Sequence, residues 1–192
     1  MKTRAAWILT LIFSPQLFAQ SLEFGRPGLG GSGCKSESTT ITMREDRQQL
    51  HILFNDYLAH SSFGEGPAID RKACSLAIPV RVPYGYSVAL LPVELNGFAA
   101  ISEGGQGEVQ IETFFAGQQG RHEVHPLRSG EIDYFTVYSS PLLQREIWSA
   151  CGQDTILRIN TSVLSKANAE GARSLILVQN AATFELQWKR CP

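Results

Sequence analysis

From Cys74 to Val82 the chain alternates with period two: Cys74, Leu76, Ile78, Val80 and Val82 are separated by Ser75, Ala77, Pro79 and Arg81. Successive side chains of an extended strand point to opposite faces, so the pattern predicts a strand burying its even-numbered residues. Pro79 has no amide donor, which predicts a sheet edge or a bulge there. Other β-branched or apolar runs occupy residues 38–43, 49–56, 86–95, 109–115, 132–138, 155–164, 175–178 and 183–188. Between them lie the polar stretch 44–47, a loop at 60–71 containing Gly64, Gly66 and Pro67, and the turn Pro83-Tyr84-Gly85. Asn96-Gly97 reads as a hairpin turn, because both residue types accept positive φ. Only residues 141–148 and 165–171 have the composition of a helical turn. Short strands punctuated by Gly, Pro and Asn predict an all-β fold, an antiparallel jelly-roll-like β-sandwich with long loops.

Ahead of this pattern, Lys2 and Arg4 precede an apolar run from Ala5 to Phe13, and Leu17-Phe18-Ala19 ends on a small residue. That is the layout of a secretion leader cut after Ala19. The run falls short of the roughly twenty apolar residues that span a bilayer, so no transmembrane segment is expected. The glycine-rich stretch GRPGLGGSG at 25–33 then reads as an irregular arm. The expected organisation is a leader at 1–19, an arm at 20–33 and one sandwich domain at 34–192.

Composition narrows the partners. With 17 basic residues against 18 acidic ones the chain is close to neutral, and losing Lys2 and Arg4 with the leader changes this little. No basic stripe draws it to a phosphate backbone, so nucleic acid is not an expected partner. An even set of four cysteines, Cys34, Cys74, Cys151 and Cys191, behind an export signal predicts disulfides instead of metal or redox chemistry. Three connectivities are open and spacing alone does not choose among them. The pairing we favour is Cys34 with Cys74 and Cys151 with Cys191.

Candidate chemistry is sparse. Gly28-Leu29-Gly30-Gly31-Ser32-Gly33 matches G-x-G-x-x-G literally, but no strand precedes it and no helix follows, so no nucleotide cofactor is expected. His122 and His125 in RHEVH lie three apart, and on a strand their rings diverge; a solvated polar loop is expected there, without a metal. His51 falls on the polar face of a strand. Asp56, Asp70, Glu94, Glu112, Asp133 and Glu185 are the carboxylates from which a hydrolytic pair would be drawn. No serine sits in a G-x-S-x-G elbow, so no catalytic residue is assigned. Phe63, Tyr84, Tyr86, Phe98 and Tyr138 stand in or beside expected loops and are the binding-surface candidates, since exposed aromatics form binding platforms. Trp148 and Trp188 lie beside Cys151 and Cys191 and read as packing around a bridge.

The cysteine contexts, read together, resemble a known family. Gly30-Gly31-Ser32-Gly33-Cys34, Arg71-Lys72-Ala73-Cys74 with its alternating strand and Pro83-Tyr84-Gly85, Trp148-Ser149-Ala150-Cys151-Gly152, Leu157-Arg158-Ile159-Asn160-Thr161 and Leu186-Gln187-Trp188-Lys189-Arg190-Cys191 occur in the order seen in domain of unknown function 4360. Asn96-Gly97-Phe98 stands where that family has arginine, glycine and an aromatic, so the arginine is absent. The resemblance implies an exported, cysteine-stapled, β-rich protein and transfers no activity, catalytic residue or cofactor. The expected function is a secreted or periplasmic binding module for an extracellular or envelope ligand, protein or polysaccharide. A carboxylate-dependent hydrolase of an extracellular polymer and a secreted inhibitor or effector are the alternatives, so enzymatic activity stays an open question at this stage.

Overall fold

The computed structural model describes residues 23–43, 49–90, 92–139, 148–169 and 172–192. The expected leader, the polar stretch 44–47 and all but Trp148 of the helical turn expected at 141–148 lie outside them. Thirteen strands make up the described fold: β1 Glu23–Phe24, β2 Gly28–Gly30, β3 Thr39–Met43, β4 Gln49–Phe54, β5 Leu58–Ser62, β6 Ile69–Arg81, β7 Tyr86–Leu90, β8 Glu94–Ala100, β9 Gln106–Phe115, β10 Arg121–Leu127, β11 Ile132–Tyr138, β12 Thr155–Lys166 and β13 Arg173–Arg190. They form two antiparallel sheets. Sheet A runs β1-β6-β12-β9-β10 with β2 also on β6, and sheet B runs β11-β8-β13-β4-β3 with β5 and β7 also on β13.

Four pairings nest inside one another: β9 with β10, β8 with β11, β6 with β12, and β5 with β13. Members of the nest alternate between sheets, giving β6-β12-β9-β10 in one and β5-β13-β8-β11 in the other. A long hairpin folded over in this way is a jelly roll, the antiparallel double-sheet solution for a chain of this kind. β13 is the axis of sheet B. It holds β5 and β4 along one side and β8 and β7 along the other, with bulges between Val178 and Asn180 and between Asn180 and Thr183.

The period-two expectation for β6 holds: Cys74, Leu76, Ile78 and Val80 are all buried. They meet Leu157 and Ile159 of β12, Ile111 and Phe115 of β9, and Leu50, Ile52 and Leu95 of sheet B in one core. Two hydroxyl pairs cross it. Tyr57 Oη lies 3.1 Å from Thr161 Oγ1, and Ser61 Oγ lies 2.8 Å from Ser165 Oγ. Burial pushes the Tyr57 phenol well above its ordinary pKa, against the opposing effect of its Thr161 bond, so it stays protonated. Disulfides join Cys34 to Cys74 and Cys151 to Cys191.

Several local expectations are corrected. Residues 23–30, expected to be irregular, contribute β1 and β2, which flank β6. β6 is therefore not outermost, and the gap between its two short neighbours falls at Pro79, whose carbonyl accepts from the Gly25 amide at 2.8 Å. The 60–71 loop shrinks to residues 63–68, because β5 and the start of β6 occupy its ends. Asn96-Gly97 is the interior of β8, not a turn. Gly97 is needed for close approach: a Cβ there would stand 2.4 Å from the Leu177 carbonyl and 2.4 Å from the Phe135 ring. RHEVH is the edge strand β10, where Pro126 needs no amide partner. Ser165 and Lys166 end β12 and no helix occurs among the described residues.

Candidate functional site

Register arranges the outer face of sheet B in rows. Leu58, Leu177, Phe98 and Tyr134 lie side by side on β5, β13, β8 and β11, and the adjacent row is His60, Leu175, Ala100 and Ile132. Four strands at their usual spacing make this platform about 14 Å across. Ile132 is 74% exposed, Tyr134 72% and Tyr138 51%, while Phe98, Leu175 and Leu177 are half-buried. The Phe98 and Tyr134 rings meet edge to face with centroids 5.3 Å apart. Such pairs hold each other's orientation while leaving a ring face free.

The local cause is Gly97. With no side chain on the inner face of β8, the ring of Phe135 fills the space beneath it, so β11 packs closely and sets Tyr134 beside Phe98. Next to these rings the rows turn polar. Asn96 donates to Glu94 Oε1 at 2.6 Å, and Thr136 Oγ1 donates to Asn96 Oδ1 at 2.6 Å. Tyr138 stands opposite Glu94 at the end of this polar stretch. Along β11, Tyr134 and Tyr138 share a face about 13 Å apart by strand rise.

The aromatic candidates thus fall into three places. Phe98 and Tyr138 share the sheet B platform. Tyr84 and Tyr86 lie at the far end of β13, near the Cys151–Cys191 bridge: Tyr84 is almost fully exposed on its turn, and Tyr86 packs against Trp188 with centroids 6.1 Å apart. Lys189 Nζ sits 3.8 Å over the Trp148 ring in the same region. Phe63 stands alone after β5, its amide donating to the Ala172 carbonyl. Sequence reasoning missed Tyr134, Ile132 and Leu58. The available signal was the run Ile132 to Tyr138, apolar on both faces, which a strand with one solvated side does not need.

The carboxylate candidates do not converge. Glu94 and Glu112 lie on the outer faces of opposite sheets, Glu112 accepting from Asn160 at 2.9 Å. Asp56 pairs with Lys35, Asp70 with Lys72, and Asp133 accepts from the Tyr134 amide. The Glu185 side chain lies outside the described residues. Burial alone would raise the Asp70 pKa, but bonds from the His60 amide, the Lys72 ammonium and the Arg71 amide hold it below its ordinary value. His122 points outward and His125 inward from β10, and His51 is half-buried on β4. Among the described residues no three His, Cys, Asp or Glu side chains gather as metal ligands.

Fold and bridges define a disulfide-stapled antiparallel jelly-roll sandwich with one aromatic outer face. The chain belongs to the DUF4360 family, a domain of unknown function, whose family model matches residues 24–191. A curated relative, an uncharacterized secreted protein of Arthroderma benhamiae, is 26% identical over 168 residues, covering 84% of this chain and 69% of its own. Among solved structures, TmCBM61 in complex with β-1,4-galactotriose overlaps 87% of this chain and 91% of its own at 13% identity and a TM-score of 0.31. A likeness so remote bears on neither ligand nor mechanism.

Proposed function

We propose that this chain is a secreted, non-catalytic binding module that engages a polysaccharide through the outer face of sheet B. The observation that carries the reading is the row Leu58, Leu177, Phe98 and Tyr134 with its hydrogen-bonded polar neighbours Asn96, Glu94 and Thr136. A sugar ring has an apolar face that stacks on an aromatic ring and a rim of hydroxyls that seeks amide and carboxylate partners. Tyr134 and Phe98 offer the first, and Asn96 and Glu94 the second. Two tyrosines spaced along β11 suit an extended chain better than a single sugar. Export fits the leader expected at residues 1–19 and the two bridges, which persist in an oxidising compartment. The secreted relative supports it.

Retention of the oxidised protein on insoluble polysaccharides and on cell-envelope fractions tests this reading. An aromatic anchor that the ligand covers on binding contributes about 2 kcal/mol or more, so Tyr134→Ala is expected to weaken retention at least about thirtyfold. Its thermal midpoint stays close to that of the wild type, because Tyr134 is exposed. Retention on none of these materials, or undiminished retention of Tyr134→Ala, overturns the proposal.

A further inference from the structure

The opposite outer face, on sheet A, carries a different chemistry. Register sets Ser75, Asn160, Glu112 and His122 in one cross-strand row and Ala73, Ser162 and Gln110 in the next, with Arg71 beyond. These side chains bond to one another. Arg71 Nη2 donates to Gln110 Oε1 at 2.9 Å and to Ser162 Oγ at 3.0 Å, while Asn160 Nδ2 donates to Glu112 Oε2 at 2.9 Å. Gln110 also donates to Glu108. The lattice lines a depression of about 220 Å³.

Two properties separate this depression from an ordinary solvated sheet face. First, the lattice fixes long side chains before any ligand arrives, which lowers the ordering cost of binding. A guanidinium has five N–H donors and a carboxylate about four acceptor sites, more than these internal bonds consume. Second, the face opens into a trough. Gly28 and Gly30 of β2 lie opposite Ala77 and Ser75, so the β2 side of the face carries almost no side chains, while Arg158 stands on β12 opposite Ala77, in the row between the two ends of the trough. In line along β6 and β12, a second depression of about 460 Å³ is bordered by Pro79, Arg81 and Ile156. Fold stability does not require Gly30 to be glycine: a Cβ there meets nothing within 4 Å, and its φ is not in the left-handed region.

We propose that this trough is a second carbohydrate site, which takes a neutral oligosaccharide chain lying along β6 and β12. Donors and acceptors alternate across the lattice, and the two cations of this face, Arg71 and Arg158, are matched in number by Glu108 and Glu112, which suits a chain of hydroxyls over a charged polymer. The two depressions in line suit an extended ligand. The site stands on its own observations and survives failure of the sheet B reading. With both sites occupied, one molecule bridges two glycan chains.

The test is an amide chemical-shift titration of the oxidised, isotope-labelled protein with soluble cello-, xylo-, manno- and N-acetylchito-oligosaccharides. Shifts are expected at Ser75, Gln110, Glu112 and Asn160 and persist in Tyr134→Ala. Gly30→Leu fills the trough floor and Asn160→Ala removes a central amide; each is expected to weaken this binding about tenfold or more, with the remaining spectrum preserved. The proposal is overturned if no oligosaccharide shifts these amides, if shifts appear only on β8 and β11, or if both variants bind as the wild type does.

Discussion

Tyr57 is the residue on which the interior turns. Its ring is fully buried, its hydroxyl reaches across the sandwich to Thr161, and its carbonyl accepts from the Val178 amide. Gly33, beside Cys34, yields to it, since a Cβ there would lie 2.3 Å from the ring. Tyr57→Phe keeps the packing but strands the buried Thr161 hydroxyl, so a loss of about 1–3 kcal/mol is expected in urea denaturation. Gly97 shows where residue-level reading stops. Asn-Gly carries a hairpin signal through its tolerance of positive φ, yet here glycine answers to a carbonyl and a ring brought in from β13 and β11. Those neighbours are distant in sequence, so nothing near Gly97 announces them. The same holds for the aromatics: Phe98 and Tyr138 were legible as candidates, but that they share a face with Tyr134 depends on the β8–β11 register.

At the scale of elements, strands with one dry face were readable and strands without one were not. β6, β9 and β12 bury alternate apolar residues, and period two exposes them. β5, with the sequence LAHSS, uses Ser61 for its contact across the core, and β10, with RHEVHPL, is an edge strand that mixes polar and apolar residues on each face. β5 has a further device at its open side: the carboxylate of Asp70 caps the His60 amide at 3.0 Å while pairing with Lys72 at 2.9 Å. An unpaired strand edge is thereby closed where the chain passes from sheet B to sheet A. The folded-state pKa of Asp70 is depressed, so its contribution to stability is complete above the unfolded value near pH 3.9 and fades as pH falls through the folded one. Asp70→Asn is expected to be less stable than wild type at neutral pH, with the gap narrowing as denaturation is repeated below about pH 4.

For the whole molecule, the bridges clamp two separate places: Cys74 lies in the middle of β6, and Cys191 lies just beyond the end of β13. Each closes 40 positions, worth about 4 kcal/mol of unfolded-chain entropy in the simple loop model. The two differ in setting. Cys34 and Cys74 are buried beside Tyr57, whereas Cys151 is exposed and Cys191 partly so. Replacing Cys34 and Cys74 by alanine is therefore expected to cost more stability than replacing Cys151 and Cys191, because a cavity adds to the lost constraint. Equilibrium unfolding of the two double variants ranks them. With one face aromatic and the other a polar trough, the sandwich is chemically two-sided, and neither side is visible until strand order assigns residues to it.

The nested pairing of the roll also sets an order of assembly. Two pairings are local hairpins, β3 with β4 and β9 with β10, whereas β13, the last of the described strands, is the axis to which β4, β5, β7 and β8 all attach. Closing long loops before their contacts form is slow, so a nascent chain lacking β13 can form only the separate pairs β3–β4 and β8–β11 of sheet B. For the exported chain proposed above, translocation thus receives a threadable polypeptide, and compaction waits for the compartment where the thiols are oxidised.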